Sequence, residues 1–242
     1  MPQYKQKRLK YTCLLKGVFQ LNKKIYLSPS MQSNNLYAYG NTNEMEQCNK
    51  VASLAKTELE KYGFEVLKSP IGQSIQKSIN ESNSWGSDLH VIIHTNAFNG
   101  KTTGGTLVMI YSNEEKNKKA GEFILNAVAS ISPGKDYTLK TNPQLAELNF
   151  TKAVAVYIEI EFHDTIDGAK WIIENTKSIA QAITKGICNY FGENYNYQDD
   201  ADNIIYRVQA GSFKSKENAE KHLQNLKNMG FTDAFIRKET IQ

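Results

Sequence analysis

Apolar and polar positions along this chain fall into blocks whose period switches between that of a strand and that of a helix. Residues 24–27 form a short apolar run that ends at Ser28-Pro29-Ser30, which predicts a buried strand. A loop rich in Asn, Ser, Gly and Tyr covers 31–43. From Glu44 to Tyr62, Cys48, Val51, Ala52, Ala55 and Leu59 share one face at helical spacing, and Gly63 ends the helix. A second strand is predicted over 64–67 and a second helix over 75–85. The near-continuous apolar run 89–93 has the signature of a parallel strand buried on both faces. A strand over 106–111 and a helix over 115–131 follow, the helix stopped by Ser132-Pro133-Gly134. The run 154–162, VAVYIEIEF, is the strongest strand signal. One long helix is predicted over 167–191, with Trp171, Ile172, Ile179, Ile183, Ile187 and Phe191 facing inward. Strands alternating with helices predict an α/β domain around a mostly parallel twisted sheet, covered by helices on both faces.

The polar stretch 193–203 reads as a linker. Beyond it the pattern predicts a strand over 204–210, a helix over 216–229 capped by Gly230, and a strand over 232–238, a single βαβ unit. The plan is therefore a basic leader 1–24, a principal domain 25–192, the linker, and a C-terminal segment 204–242. With 242 residues, 40% hydrophobic and 22% charged, the chain has enough apolar surface for a real core. The net charge of +4 is unevenly spread: residues 1–24 hold seven Lys or Arg and no acid, and 204–242 hold seven bases and four acids. The stretch between is net acidic, and no basic face of the kind nucleic acid needs is visible in it. Cys13, Cys48 and Cys188 are few and widely spaced, against a disulfide framework or a cysteine-built zinc site. No stretch approaches the roughly 18 apolar residues of a membrane span. The leader's apolar patch is interrupted by Lys16, and no small-residue cleavage site follows. It is a poor signal peptide and reads as a disordered leader or as sequence ahead of the true start.

In open α/β sheets, sites form at the carboxyl ends of the strands. His94 follows the run 89–93, Glu159 lies near the end of 154–162, Ser28 to Ser30 follow the first strand, and Glu44 opens the first helix. A histidine and two carboxylates converging there suit a zinc hydrolase, because zinc takes imidazole nitrogen and carboxylate oxygen, and a free carboxylate can deprotonate water. A lone histidine after a strand is more often structural. A carboxylate inside VAVYIEIEF is costly to bury without a partner or a task. His90 shares a strand face with His94, but four residues of strand separate them by about 13 Å. His163 lies just past Glu159, and His222 is on the C-terminal helix. Tyr37, Tyr39, Tyr195 and Tyr197 suit sugar stacking or plain surface.

Several stretches, in order, resemble one family. DLHVIIHTNAFNGKTTGGT is similar to a strand ending S-I-H-x-N-A before a Gly-rich stretch. VAVYIEIEFHDTIDGAKWI is similar to V-L-V-E-x-G-F-x-x-N before a last helix, and NEMEQCNKVASLAKTELEKYGFEV to a helix opened by a glutamate. SPGKDYTLK and LAELNFTKA fill the interval between. Together, over about 25–192, these resemble the zinc-dependent N-acetylmuramoyl-L-alanine amidases of amidase family 3. The resemblance implies one zinc and cleavage of the amide between N-acetylmuramic acid and L-alanine in peptidoglycan. It implies His94 and Glu44 as zinc ligands, with Glu46 as the alternative to Glu44, and Glu159 as the catalytic glutamate. Two positions depart from the family. Its first strand usually ends D-P-G-H-G-G, with that His a zinc ligand, and Met31 stands there in this chain. A thioether is a poor zinc ligand. Gln32 offers an amide oxygen instead, with Asn34 or Asn35 less favoured. An S-P-S-x-Q opening is also similar to clostridial-type wall amidases, which implies a working variant. The second departure is Glu161 in place of Gly. Strand alternation points it the same way as Glu159, where it would crowd or couple to that carboxyl.

YRVQAGSFKSKENAEKHLQNLKNMGFTDAFIRKE resembles the start of a SPOR domain, a fold that binds glycan strands stripped of stem peptides. Its length matches one of two βαβ halves. These resemblances imply a cell-wall hydrolase of the autolysin kind, acting at the wall or outside the cell and released by lysis or from a mother cell. The alternative is a wall-binding protein that keeps the fold and has lost the metal chemistry.

Overall fold

A computed structural model describes residues 23–100, 103–196, 210–232 and 234–238, and the chain divides into two compact units, Met1–Tyr195 and Asn196–Gln242. The first unit runs β1 (Lys24–Pro29), α1 (Glu44–Lys61), β2 (Glu65–Lys68), α2 (Ile75–Trp85), β3 (Leu89–Asn96) and β4 (Leu107–Ile110). It continues with α3 (Glu115–Ala129), β5 (Thr138–Thr141), α4 (Ala146–Phe150), β6 (Val154–Phe162), α5 (Ile166–Glu174) and α6 (Thr176–Phe191). The strands form one sheet in the order β2-β1-β3-β6-β4-β5. Its first four strands are parallel. β4 runs antiparallel to β6, and β5 runs parallel to β4. The mostly parallel sheet expected from the pattern is present, with a reversed pair at one edge.

Both faces of the sheet are buried, which is why its central strands read as apolar runs rather than alternations. Ile25, Leu27, Val91, Ile93, Val156 and Ile158 point into the main core against α1, α3 and α6. Ile92, Ala155 and Tyr157 point to the opposite face, where they pack with Leu148 of α4. α2 lies against α4 on this thinner side. That side also holds the polar residues of the site.

Two expectations are corrected, and two elements were not foreseen. The single helix over 167–191 is two helices broken at Asn175, whose Nδ2 donates to the Trp171 carbonyl at 2.9 Å. A short amide side chain that bonds its own backbone competes with the helix. β5 and α4 were not legible: β5 is an exposed edge strand, TLKT, and α4 has five residues, too few to show a period. In the second unit α7 (Lys216–Asn228) forms as expected, with the Ser215 side chain accepting from the Asn218 N–H. The strand expected over 232–238 does not form among the described residues there. A lone βαβ unit offers a strand few neighbours for its backbone groups. The leader 1–22, linker residues 197–203 and nearly all of the strand expected over 204–210 lie outside the described residues.

Candidate functional site

Loop 30–43 folds back over the carboxyl edge of the sheet. The Ser30 N–H donates to the Ile93 carbonyl at 2.9 Å, carrying the β1–β3 pairing one residue past Pro29. A bridge between Leu36 and Asn43 closes the loop, and Glu44 N–H donates to the Asn35 carbonyl at 2.9 Å. Asn43 caps α1 by accepting from the Glu46 N–H. This turn places Glu44 at the helix N-terminus, where exposed N–H groups favour a carboxylate, with its side chain reaching across to β3.

Glu44 is 1% exposed, and its Oε1 lies 2.7 Å from His94 Nδ1. Oε1 also accepts from the Thr95 N–H at 3.3 Å. Asn35 Nδ2 donates to Glu44 Oε2 at 2.7 Å and to Gln32 Oε1 at 2.6 Å. Gln32 Nε2 lies 3.3 Å from His94 Nδ1. Burial alone would raise the Glu44 carboxyl, but hydrogen bonds from His94 and Asn35 outweigh it and hold the group below its ordinary value. Three side chains singled out in the sequence, Gln32, Glu44 and His94, therefore meet at one point. Glu46 does not join them, because its carboxylate takes the Thr42 hydroxyl at 2.6 Å. Asn35 meets the cluster through its N–H donors, which suits it to orienting ligands rather than being one.

Glu159 stands beside His94 in the sheet, the two being direct partners of β3 and β6. The ring of Tyr157 stacks on His94 with centroids 4.5 Å apart. Burial pushes the Glu159 carboxyl up to about 7, the His94 charge pulling it down, Glu44 pushing it up and the Tyr157 hydroxyl pulling it down. Its Oε2 is buried with no hydrogen-bond partner. A buried carboxylate oxygen left unpaired is rare and costly, and in a cleft beside a histidine it marks a functional group.

The register between β3 and β6 slips just past this point, two residues of β3 from His94 to Asn96 spanning three of β6 from Glu159 to Phe162. The extra residue breaks the alternation, so Glu161 does not stand alongside Glu159. It accepts instead from Gly105 N–H at 2.7 Å, Ser132 Oγ at 2.6 Å and Phe162 N–H at 2.9 Å. Its task is to pin the Gly-rich loop to the sheet. Gly105 has φ +142, and a Cβ there would stand 1.6 Å from the Asp136 carbonyl oxygen, which explains a glycine at that point.

Other candidates settle into support. His163 Nδ1 lies 2.9 Å from Thr95 Oγ1 and 3.0 Å from the Thr95 carbonyl, and its ring stacks on Tyr37. Tyr37 OH meets the same Thr95 hydroxyl at 3.0 Å. Together they brace the residue whose N–H serves Glu44. Tyr195 packs its ring against Tyr62, Tyr39 is exposed, and Tyr197 lies outside the described residues. His222 Nε2 meets the Ala210 carbonyl at 3.2 Å. Cys48 and Cys188 are buried free thiols.

Sequence reasoning missed Glu147. It is buried on α4, its Oε1 taking the Ser28 hydroxyl at 2.5 Å and meeting His90 Nε2 at 3.3 Å. An acid between Ala146 and Leu148 was the only signal. His90, expected to be a bystander on the strand, is its partner.

The comparisons with known proteins bear on this arrangement. A family model described as N-acetylmuramoyl-L-alanine amidase matches residues 29–189. The chain belongs to this family. A SPOR-domain model matches residues 179–240. That match reaches back into α6, whose Ile179, Ile183 and Ile187 are buried in the amidase core. The sporulation-specific N-acetylmuramoyl-L-alanine amidase of Bacillus subtilis (strain 168) is 25% identical over 168 residues, covering 69% of this chain and 63% of that protein. The chain thus spans less than two-thirds of that relative's length. The catalytic domain of CD27L endolysin targeting Clostridia Difficile is 26% identical with a TM-score of 0.58, covering 72% of this chain and 99% of that one. The catalytic domain of CwlV from Bacillus (Paenibacillus) polymyxa var. colistinus shares the fold with a TM-score of 0.64 at 14% identity, covering 71% and 99%. No helix among the described residues of this family member is long and apolar enough to cross a membrane.

The donors present fit a divalent cation in part. Glu44 Oε1 lies 2.7 Å from His94 Nδ1, whereas the Gln32 atom nearest that nitrogen, at 3.3 Å, is the amide nitrogen, a donor, its oxygen accepting from Asn35. Among the described residues no three His, Cys, Asp or Glu side chains could share a metal. Gln32 offers a third ligand only with its amide turned over, nitrogen for oxygen. Met31 is 39% exposed and lies at the mouth of the same pocket.

Proposed function

We propose that this amidase-family chain is a peptidoglycan hydrolase that cleaves the amide between N-acetylmuramic acid and L-alanine. The observation that carries the reading is Glu159, a carboxyl pushed up to about 7 by burial and unpaired at Oε2, directly beside the His94–Glu44 pair. His94 Nδ1 and Glu44 Oε1 would hold one zinc, and the Gln32 amide oxygen would join them once the amide, whose nitrogen faces His94, is turned over. When bound, zinc supplies Lewis acidity that polarises the scissile carbonyl and acidifies water. Glu159 accepts a proton from the attacking water and returns it to the leaving amine of L-alanine, a task that suits a group titrating near neutrality. His94 and Asn35 keep Glu44 ionised, the Thr95 N–H orients it, and Tyr157 holds the His94 ring by stacking.

We assign the catalytic domain to residues 25–192, the linker to 193–203, and a partial SPOR-like segment that binds glycan strands to 204–242. The site of action is the cell wall or the extracellular space. A second reading, a wall-binding protein with impaired catalysis, is favoured by one observation: Met31 occupies the position of the family's first zinc histidine.

Zinc titration of the metal-free protein, with peptide release from a muramyl peptide, decides between them. Wild type should bind one zinc weakly enough for mild chelation to remove it, and Met31→His should bind it more tightly. His94→Ala should lose zinc and turnover together. Zinc binding by His94→Ala equal to wild type, or none by wild type at micromolar metal, would refute the metal-site assignment and leave the wall-binding reading.

A further inference from the structure

The face of the sheet that carries Glu159 continues past it onto the two strands of the reversed edge. Glu159 pairs with Leu107 of β4, and Leu107 pairs with Thr138 of β5. Directly paired residues stand on the same side of a sheet, so Leu107 and Thr138 share the side of Glu159. Two positions along, Tyr157, Met109 and Lys140 form the next row of partners. Met109 packs with Tyr157, while Leu139 packs into the main core opposite. Alternation along β5 therefore sets Thr138 and Lys140 on the same side as Glu159.

This part of the face is open. α3, the helix packed on β4 and β5, lies on the main-core side. On the other side Leu107 and Met109 are half-buried, and Thr138 and Lys140 are exposed. The chain leaving β5 closes one end, where Asn142 Nδ2 meets Met109 Sδ at 3.6 Å and Leu145 packs with the Tyr157 cluster. A shallow bay results, with Glu159 on one side, an apolar floor and Lys140 on its outermost strand. Of the residues that β3, β6, β4 and β5 put on this face, Lys140 is the one Lys or Arg. Among the described residues no carboxylate pairs with it. Strand spacings put its Cα about 12 Å from that of Glu159, and a flexible four-carbon stem lets the ammonium cover part of that gap. A carboxylate two residues along an extended peptide from the scissile amide stands about 7 Å from it. The two lengths meet over the bay.

We infer that this bay receives the stem peptide and that Lys140 binds the α-carboxylate of its second residue, D-glutamate. The inference rests on the peptidoglycan reading for its ligand, but not on the metal or on turnover. Lys140 is then a specificity residue. It favours stems whose D-glutamate keeps a free α-carboxylate over stems in which that group is an amide.

The test is calorimetric binding of free stem peptides to the full chain. The probes are L-Ala-γ-D-Glu-L-Lys and the same peptide with its D-glutamate α-carboxyl as the amide. Both lack the muramyl amide, so binding is read without turnover. Wild type should bind the carboxylate form about three- to fivefold more tightly, the range for an ion pair still in touch with water. Lys140→Gln should bind the two within about 1.5-fold of each other. Lys140→Glu should prefer the amide form, because like charges then face each other. Lys140 is exposed, so neither substitution removes a core contact. Equal binding of the two peptides by wild type overturns the inference, as does the absence of binding by both at millimolar peptide. So does a preference for the carboxylate form that survives in Lys140→Glu. If muramyl peptides are not cleaved but the wild-type preference stands and is lost in the variants, the hydrolase reading fails and the stem-peptide contact does not.

Discussion

Replacing Glu159 by Gln should stabilise the metal-free protein while abolishing peptide release. The carboxyl titrates at 4.5 in the unfolded reference and at about 7 in the folded protein, with burial as the main cause. A folded value raised above the unfolded one means that stability is fully present below pH 4.5. It is then lost as pH climbs from 4.5 to about 7, because the unfolded chain gives up its proton first. At 1.36 kcal/mol per unit, the shift corresponds to about 3 kcal/mol. Glu159 is partly reached by solvent, which reduces this to roughly 2 kcal/mol. Glutamine has the same shape and no charge, so it avoids that cost. In chelator at pH 8 the variant should melt about 4–8 °C above wild type for a domain of this size. At pH 4 the two should melt together. The assay is a pair of thermal melts across that range, with hydrolysis of a muramyl peptide measured on the zinc-loaded proteins. Stability gained and activity lost by one isosteric change is the mark of a residue kept for chemistry. A variant no more stable than wild type at pH 8, or a difference that does not change with pH, would refute the burial account. Turnover within about tenfold of wild type would move the base elsewhere.

Alkaline pH should unfold the protein early. Burial raises Cys48, Tyr37 and Tyr157 and pushes Cys188 up to about 12, so the unfolded chain loses these protons first and stability falls from about pH 9 upward. Melts from pH 8 to 11 check the direction, and a native thiol titration at Cys188 with a midpoint near 9 would contradict it. Glu161→Ala should cost roughly 3–5 kcal/mol in urea denaturation, since it strands two backbone N–H groups and a hydroxyl in a buried site. Glu161→Gln should cost much less, and equal stability of the Ala variant would remove the loop-pinning role.

How much of this could be read from the chain depended on distance along it. A parallel sheet buried on both faces prints itself as apolar runs, so β1, β3 and β6 were legible, as were α1, α2 and α3 from their helical period. β5 was not, because an exposed edge strand buries too little to leave a pattern. At the site, His94, Glu44 and Glu159 were legible as polar residues at the carboxyl ends of such runs. The bulge in β6 was not, and it is the bulge that turns Glu161 away from Glu159. Glu147 was hidden for another reason: its partners Ser28 and His90 lie 119 and 57 positions away.

Three carboxylates thus approach one sheet among apolar neighbours and look alike in the sequence. Their partners separate them. Glu161 accepts three hydrogen bonds and is saturated, which is how a protein spends a buried acid on holding a loop. Glu147 meets the Ser28 hydroxyl and His90 on one oxygen. Glu159 keeps Oε2 without any. Glu147 and Glu161 are buried and Glu159 is partly open, so it is the partners each one keeps that separate them. The acid with three partners is structural, and the one with a bare oxygen is the one we propose holds and releases a proton.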